Sequence, residues 1–142
     1  MPARSAFEYA VIRVVPRVER GEFINVGVVL FCRTRRFLGA RLLFHTARLA
    51  AFAPDIDLAG VEEQIAGIPL VCVGGATAGP IGLLPQQERF RWLTAPRSTI
   101  VQVSPVHCGL CEDPRAELAR IATRMILAAE DARVFEGANE RN

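Results

Sequence analysis

Lysine is absent from this sequence of 142 residues, in which all 17 basic residues are arginines. Because arginine codons are GC-rich and lysine codons are not, a GC-rich genome explains this absence more simply than a function does. The net charge of +2 and the isoelectric point near 8.5 are mild. Dedicated nucleic-acid-binding domains usually have isoelectric points above ~9 and clustered charge. Nucleic-acid binding is therefore only a minor alternative for this chain.

Long apolar runs are missing as well. No window approaches the ~18 consecutive apolar residues that a membrane-spanning helix needs, and the first residues lack the apolar run of a secretory signal. The four cysteines are unevenly placed, and a chain of this size buries roughly 70% of its unfolded surface, enough for a core without disulfides. We therefore expect a cytoplasmic protein with reduced thiols and no membrane contact.

The first half of the chain has the pattern of a β-meander. Three segments are rich in apolar and β-branched residues and are predicted to be strands: Glu8–Val15, Glu22–Cys32 and Phe37–Phe44. Their short links make them antiparallel neighbours, and Thr99–Val103 is predicted to be a later, fourth strand. The second segment is apolar on both faces, so we expect it at the centre of the sheet, covered on both sides.

Four helices are predicted between and after these strands. The clearest begins at Asp113, a good N-cap followed by a proline, and its apolar face extends to Ala129. The others are Thr46–Phe52, a helix capped by Asp57 that Pro69 should kink or end, and Gln86–Thr94. The glycine-rich residues 74–82 are expected to form a loop.

The predicted fold class is therefore α+β, with a small and mainly antiparallel sheet and helices packed against it. Residues 1–135 would form a single domain, and residues 136–142 a polar, frayed tail.

Asn25 is a polar side chain in the middle of an otherwise apolar strand. A buried amide without a partner costs roughly 1–3 kcal/mol, so we expect a partner. In the register that a short link favours, Arg13 falls opposite Asn25 and Val11 opposite Gly27, while Glu22 lies at the adjoining turn. Two interpretations remain open: a buried hydrogen-bond network that fixes the register, or a binding or catalytic pocket.

The segment His107-Cys-Gly-Leu-Cys111 contains the residue types of a metal or redox site. A structural zinc site needs four ligands, and the remaining candidates are scattered. The helix at Asp113 could lower the pKa of a nearby thiol, but the segment is predicted to be a loop without a thioredoxin-like context. Esterase and phosphate-loop motifs are absent. We predict no metal, no cofactor and no catalytic residue, and leave enzymatic activity undecided.

Residues 89–102, RFRWLTAPRSTIVQ, interleave three arginines with Phe90 and Trp92. Arginine and aromatic side chains together can clamp a phosphate or stack on a base. Alternatively, the aromatic side chains pack inside and the arginines lie along the surface. The candidate ligand-binding residues from the whole sequence are Arg13, Glu22, Asn25, Arg89, Arg97, Ser98 and His107.

These segments are similar to one known family. YAVIRVVP at positions 9–16, followed by RGEFINVGVVL at positions 20–30, resembles the opening motif of the bacterial family catalogued as domain of unknown function 3037. Residues 89–102 and SPVHCGL at positions 104–110 resemble its second motif. The resemblance spans nearly the whole chain and implies no established activity. It implies, by genomic association, a partner similar to the persistence-toxin serine/threonine kinases.

In that family the shared part of the second motif is His107-x-Gly-Leu, so Cys108 and Cys111 fall outside the pattern. This weakens the zinc and redox interpretations and directs attention to His107, Arg97 and Ser98.

The leading hypothesis is a non-catalytic cytoplasmic module for protein interaction or regulation, which pairs with itself or with such a kinase. The first alternative is an enzyme, or a protein that binds a small ligand or an anion. Its pocket would gather Arg13, Glu22, Asn25, Arg89, Arg97 and His107. The second alternative is a nucleic-acid binder that uses the arginine-rich segments.

Overall fold

The structure is a computed structural model that describes residues 3–126 and 132–140. Within these ranges six strands form one antiparallel sheet, and four α-helices pack on it. The elements in chain order are β1 (Ser5–Val14), β2 (Ile24–Cys32), β3 (Phe37–Phe44), α1 (Thr46–Phe52), α2 (Leu58–Val73), α3 (Gln86–Thr94), β4 (Val101–Val103), β5 (His107–Cys111), α4 (Pro114–Met125) and β6 (Arg133–Asn139). The predicted α+β fold and the meander β1-β2-β3 are confirmed.

The strand order is β4-β1-β2-β3-β6, and β5 also pairs with β1. Strand β4 pairs with β1 over Ile12–Val14, and β5 pairs with it over Ser5–Tyr9. Both lie on the side of β1 that faces away from β2. One margin of the sheet is therefore made by β4 and β5, with residues 104–106 between them, and the opposite margin is made by β6.

Helices cover both faces of the sheet. On one face, α2 and α3 enclose a core that includes Ile12, Leu42, Ile65 and Phe90. On the other face, α4 packs over a second core that includes Leu30. We call these the α2/α3 face and the α4 face. As expected from its apolar composition, β2 is central and buried on both sides.

A bulge in β2 changes which residues share a face. Ile12 lies opposite Gly27, whereas Arg13 lies opposite Asn25, so Val26 is an extra residue in the ladder. A bulge of this kind reverses the inward and outward alternation beyond it. Asn25 therefore lies on the α4 face.

The predicted pairing of Arg13 with Asn25 is confirmed, but Val11 lies opposite Val28 and not opposite Gly27. The prediction failed by one position because it assumed an unbroken ladder.

Two strands were not predicted. The segment from His107 to Cys111 was expected to be a loop and is β5, and the polar segment from Glu136, expected to fray, belongs to β6 up to Asn139. Both are edge strands with exposed polar side chains, so they lack the apolar alternation by which a strand is recognised. Pro69 does not end α2, which continues to Val73. Burial of Val71 and Cys72 beyond the proline outweighs its cost of about 3 kcal/mol.

The helix capped by Asp113 is confirmed from Pro114 to Met125, but it ends there, because the backbone of Ile126 is extended (φ −120°, ψ 130°). The predicted continuation of the helix through Ile126 is therefore wrong. Ala129, its predicted end, lies outside the described residues.

Candidate functional site

The seven candidate residues from the sequence are distributed over separate parts of the fold. Arg13 and Asn25 are neighbours on the α4 face. The Asn25 amide donates from Nδ2 to the carbonyl oxygen of Met125 at 3.3 Å, and the Arg13 guanidinium lies over the Phe23 ring, 3.9 Å from its centroid. Within the described residues, Oδ1 of Asn25 and Nε of Arg13 are buried and have no hydrogen-bond partner. The hydrogen-bond partner of the Asn25 amide is thus the carbonyl oxygen of Met125 at the end of α4, and not the Arg13 guanidinium.

Glu22 does not join this pair. Its carboxylate forms an ion pair with Nε of Arg20 at 2.8 Å, and both side chains are more than half exposed. An exposed pair of this kind is worth about 0–1 kcal/mol. Glu22 therefore belongs to the solvated turn between β1 and β2.

Arg89 lies in the protein interior, with only 4% of its surface exposed. It lies against Gly74 and close to Cys72. Burial lowers the pKa of the Arg89 guanidinium, and Cys72 partly opposes this shift. Burial also raises the pKa of the Cys72 thiol. Among the described residues, Nε and Nη2 of Arg89 have no hydrogen-bond partner. The expectation that the arginines of this segment lie along the surface is therefore wrong for Arg89.

Arg97 is tied to the end of α3. Its guanidinium donates to the carbonyl oxygens of Leu93 at 3.1 Å and Trp92 at 2.7 Å, and its Cζ lies 4.8 Å from the centroid of the Trp92 ring. Cationic side chains are favourable at this end of a helix because its last carbonyls carry partial negative charge. Ser98 is exposed next to it.

His107 is exposed on β5, where its ring lies beside that of Tyr9 at 5.3 Å between centroids. Cys108 is exposed on the same strand, whereas the other three cysteines are buried. Burial, followed by the neighbouring Cys32 thiol, raises the pKa of Cys111 to about 11. A reactive thiol needs a lowered pKa, so Cys111 is an unsuitable nucleophile.

Metal ligands and membrane helices are also lacking in the part of the chain that the structure describes. There, no three His, Cys, Asp or Glu side chains come close enough to hold a metal ion. Within the same ranges, no helix has both the length and the hydropathy that a membrane crossing requires.

A groove opens between α2, α3 and β4, with a volume of about 370 Å³. Its apolar walls include Ile68 and Leu70 of α2 and Trp92 of α3. Leu70 and Trp92 are nearly half exposed, at 48% and 44%. The other lining residues are Gln64, Gly67, Val71, Thr77, Ala78, Leu93, Arg97, Thr99, Val101 and Val103.

The described lining of this groove is mainly apolar and carries one charged group. Of the described residues that line it, Arg97 alone is charged, and none is a histidine, cysteine, aspartate or glutamate. The lining thus offers no base for the threonine hydroxyls, and acid–base catalysis needs such a group. The groove offers apolar contact, an indole ring and one guanidinium.

Sequence reasoning identified Arg97 but missed the α2 side of this groove. Apolar residues on a helix are equally compatible with a buried face, so Ile68 and Leu70 carried no distinguishing signal. Gly67 did carry one, because a glycine inside a helix costs roughly 0.5–1 kcal/mol relative to alanine. Outside its own part of the helix, a Cβ at this position would meet no heavy atom of the described residues within 4 Å. Gly67 therefore leaves space in the groove that the fold itself does not need.

Comparison with known proteins gives one result. No curated protein and no solved structure matches this chain. The profile of one family matches residues 9–126, which is most of the chain and includes both sequence motifs. The chain belongs to the DUF3037 family, whose description is "protein of unknown function".

Proposed function

We propose that this chain is a protein-interaction module and that the groove between α2, α3 and β4 is its partner-binding surface. The observation that carries the proposal is the open apolar groove with the half-exposed Trp92 at its side. Tryptophan is among the residues that contribute most to protein–protein binding energy. The lining, apolar apart from a few polar groups, is also typical of binding sites.

The partner that the family resemblance implies is a kinase similar to the persistence-toxin serine/threonine kinases, and it is the first whole protein to test. A second copy of this chain is the competing partner. We further propose that the module works in the cytoplasm, because all four cysteines are free thiols and disulfides are characteristic of oxidising compartments.

The test is a selection of phage-displayed random peptides on the immobilised protein, with Gly67→Phe as the comparison target. The phenylalanine should occupy the groove and leave the fold intact, because Gly67 lines the groove and its Cβ position is open. We expect peptides that bind the wild-type protein and lose affinity about tenfold or more on Gly67→Phe. The matched control is Ala116→Phe, which adds the same side chain to an exposed position of α4 on the other face of the sheet.

Two results would contradict the proposal. One is a selection that enriches no groove-dependent peptide, and the other is equal binding to wild-type protein and Gly67→Phe. Sedimentation velocity of the wild-type protein alone would show a dimer, abolished by Gly67→Phe, if the partner is a second copy.

A specific observation also favours the small-ligand alternative. A cleft of about 440 Å³ lies beside Asn25 and is lined by Arg48 and Arg124, with no acidic residue among its described lining. Nε of Arg13, a hydrogen-bond donor, is buried close by and has no partner among the described residues. We propose, as the second candidate function, that this cleft binds a small anion.

Inorganic phosphate should then raise the melting temperature of the wild-type protein more than that of Arg48→Gln, with chloride at equal ionic strength as the control. Equal shifts in both proteins would reject this candidate.

A further inference from the structure

Among the described strands, none pairs with one side of the backbone of β4. It stands at the end of the strand order and, among the described strands, pairs with β1 alone. On the β1 side, the carbonyl of Ile100 accepts from the N–H of Val15 at 2.6 Å, and the N–H of Ser104 donates to the carbonyl of Val11 at 2.8 Å. Residues 100 and 104 therefore direct their backbone groups inward, as does Gln102 opposite Arg13.

Backbone groups alternate along a strand, so Val101 and Val103 direct theirs away from β1. The carbonyl of Val101 accepts from the Thr99 hydroxyl at 3.0 Å. The N–H of Val101 and both backbone groups of Val103 have no strand partner in the described part of the chain. An edge of this kind is a template for another strand.

The same two residues connect this edge to the groove. The side chains of Val101 and Val103 line it and pack with the core of the α2/α3 face. Side chains of neighbouring strands point to the same two faces of a sheet. A segment added beside β4 would therefore direct every second side chain toward the groove, where Gly67 leaves room.

The positive charge of Arg97 in the groove favours segments that carry a negative charge. The Arg97 guanidinium has five N–H donors, of which two are directed at the end of α3. The remaining donors match a carboxylate, and no acidic residue of the described lining occupies them. The complementary segment is apolar and carries an aspartate or a glutamate.

We propose that the partner binds by β-strand addition. An extended segment of another protein pairs with the outer edge of β4, inserts a large apolar side chain beside Gly67 and places an acidic side chain on Arg97. This inference rests on the proposed function, because it specifies how a partner occupies the same groove.

The first arm of the experiment changes the edge and uses the peptides enriched on the wild-type protein as probes. Val103→Pro removes an N–H that points away from β1, which an edge strand tolerates. Val103→Ala shortens the same side chain and keeps the N–H. We expect Val103→Pro to bind the peptides at least about tenfold more weakly than Val103→Ala, because main-chain hydrogen bonds contribute much of the affinity in this mode.

The second arm does not depend on folding of the proline variant. Methylation of successive peptide amides should weaken binding at every second position only. Addition of the peptide should slow hydrogen exchange at the amide of Val103 and leave Gln102 unchanged. Replacing the acidic peptide residue by its amide should weaken binding to the wild-type protein and have no effect on Arg97→Gln.

The outcomes separate the two proposals. Peptides that need an open Gly67 but bind Val103→Pro as well as Val103→Ala, with no alternation in the methylation series, would overturn strand addition and leave the groove as the binding site. A selection without groove-dependent peptides would overturn both. A dimer of the wild-type protein, broken by Val103→Pro, would make a second copy the occupant and overturn the assignment to another protein.

Discussion

Replacing Gly74 by alanine should destabilise the protein through two separable effects. Gly74 follows the last residue of α2 and has φ 83° and ψ −177°, a region that essentially only glycine occupies. A Cβ there would also collide with Nη1 of Arg89 and lie 3.0 Å from its Cζ. Because Arg89 is 4% exposed, its guanidinium cannot simply swing into solvent. The substitution therefore combines backbone strain with the displacement of a buried charge.

The neighbouring residue isolates the first effect. Gly75 has φ 93° and ψ 178°, nearly the same backbone conformation, but a Cβ on Gly75 would meet no heavy atom within 4 Å in the part of the chain that the structure describes. Gly75→Ala should cost about 1–3 kcal/mol, the strain of a residue in a sparsely populated region. Gly74→Ala should cost about 1–3 kcal/mol more, as overpacking of a closed site does.

Urea denaturation of the two variants measures this difference directly. Arg89→Met, alone and combined with Gly74→Ala, completes a double-mutant cycle. The combined variant should recover most of the extra cost, because the atom that the Cβ meets is gone. Equal destabilisation by Gly74→Ala and Gly75→Ala, or a cycle without coupling, would refute the close contact of Arg89 with the end of α2.

Substitutions at three other single residues should also change stability in a stated direction. Gln86→Leu should lower the free energy of unfolding, measured in urea titrations, by about 2–4 kcal/mol. The reason is that Nε2 of Gln86 donates to the carbonyl oxygens of Arg36 and Asn139 at 2.7 and 2.9 Å. A loss of stability no greater than that of the control variant Gln87→Leu would contradict this. Gly67→Ala should raise the midpoint of urea unfolding by an amount worth about 0.5–1 kcal/mol, and a decrease would show that the space beside it is not free. Burial raises the pKa of Cys111 from 9.0 to about 11, so the thiol of the unfolded chain ionises first as the pH rises between these values. The free energy of unfolding of the wild-type protein should therefore fall by about 2–3 kcal/mol relative to that of Cys111→Ala. Parallel curves of stability against pH for the two proteins would contradict the shift.

The parts of the fold that sequence predicted are those fixed by local pattern. The meander β1-β2-β3 and the helix from Asp113 each have their apolar period, links and caps within a short stretch of chain. The pairing of Arg13 with Asn25 followed from the short link between β1 and β2. The bulge at Val26 was not predicted, although Gly27 stands directly beside it and a glycine inside a strand often marks a bulge.

Strands β5 and β6 could not be predicted from local sequence pattern, for a different reason. Strand β6 pairs with β3 across most of the chain, with Leu38 opposite Asn139. The partner of an edge strand supplies its hydrogen bonds, and half of its side chains need no burial. A polar stretch such as residues 136–139 is therefore indistinguishable from a tail until its neighbour is known.

The candidate residues were scattered because the polar side chains of the motifs largely serve the fold. Arg97 binds the end of α3, and Arg89 fills the space beside Gly74. The hydroxyl of Ser104 accepts from the N–H of Val11 at 2.9 Å and donates to the carbonyl of Pro105 at 2.9 Å. A function assigned from the motifs alone would therefore start from polar groups that already have a part in the fold.

One part of the second motif has groups in addition to those that serve the fold. The segment from Arg97 to Val103 contributes two valines that line the groove. Within the described residues it also contributes guanidinium donors that are not used and an edge whose outer backbone groups have no strand partner. The fold fixes all three by pairing β4 with β1 and by anchoring Arg97 on α3. A partner would therefore meet a surface already in its binding geometry, which lowers the entropic cost of association. In the proposed strand addition, the contacts that hold Arg97 on α3 and β4 on β1 would therefore also hold the binding surface in place.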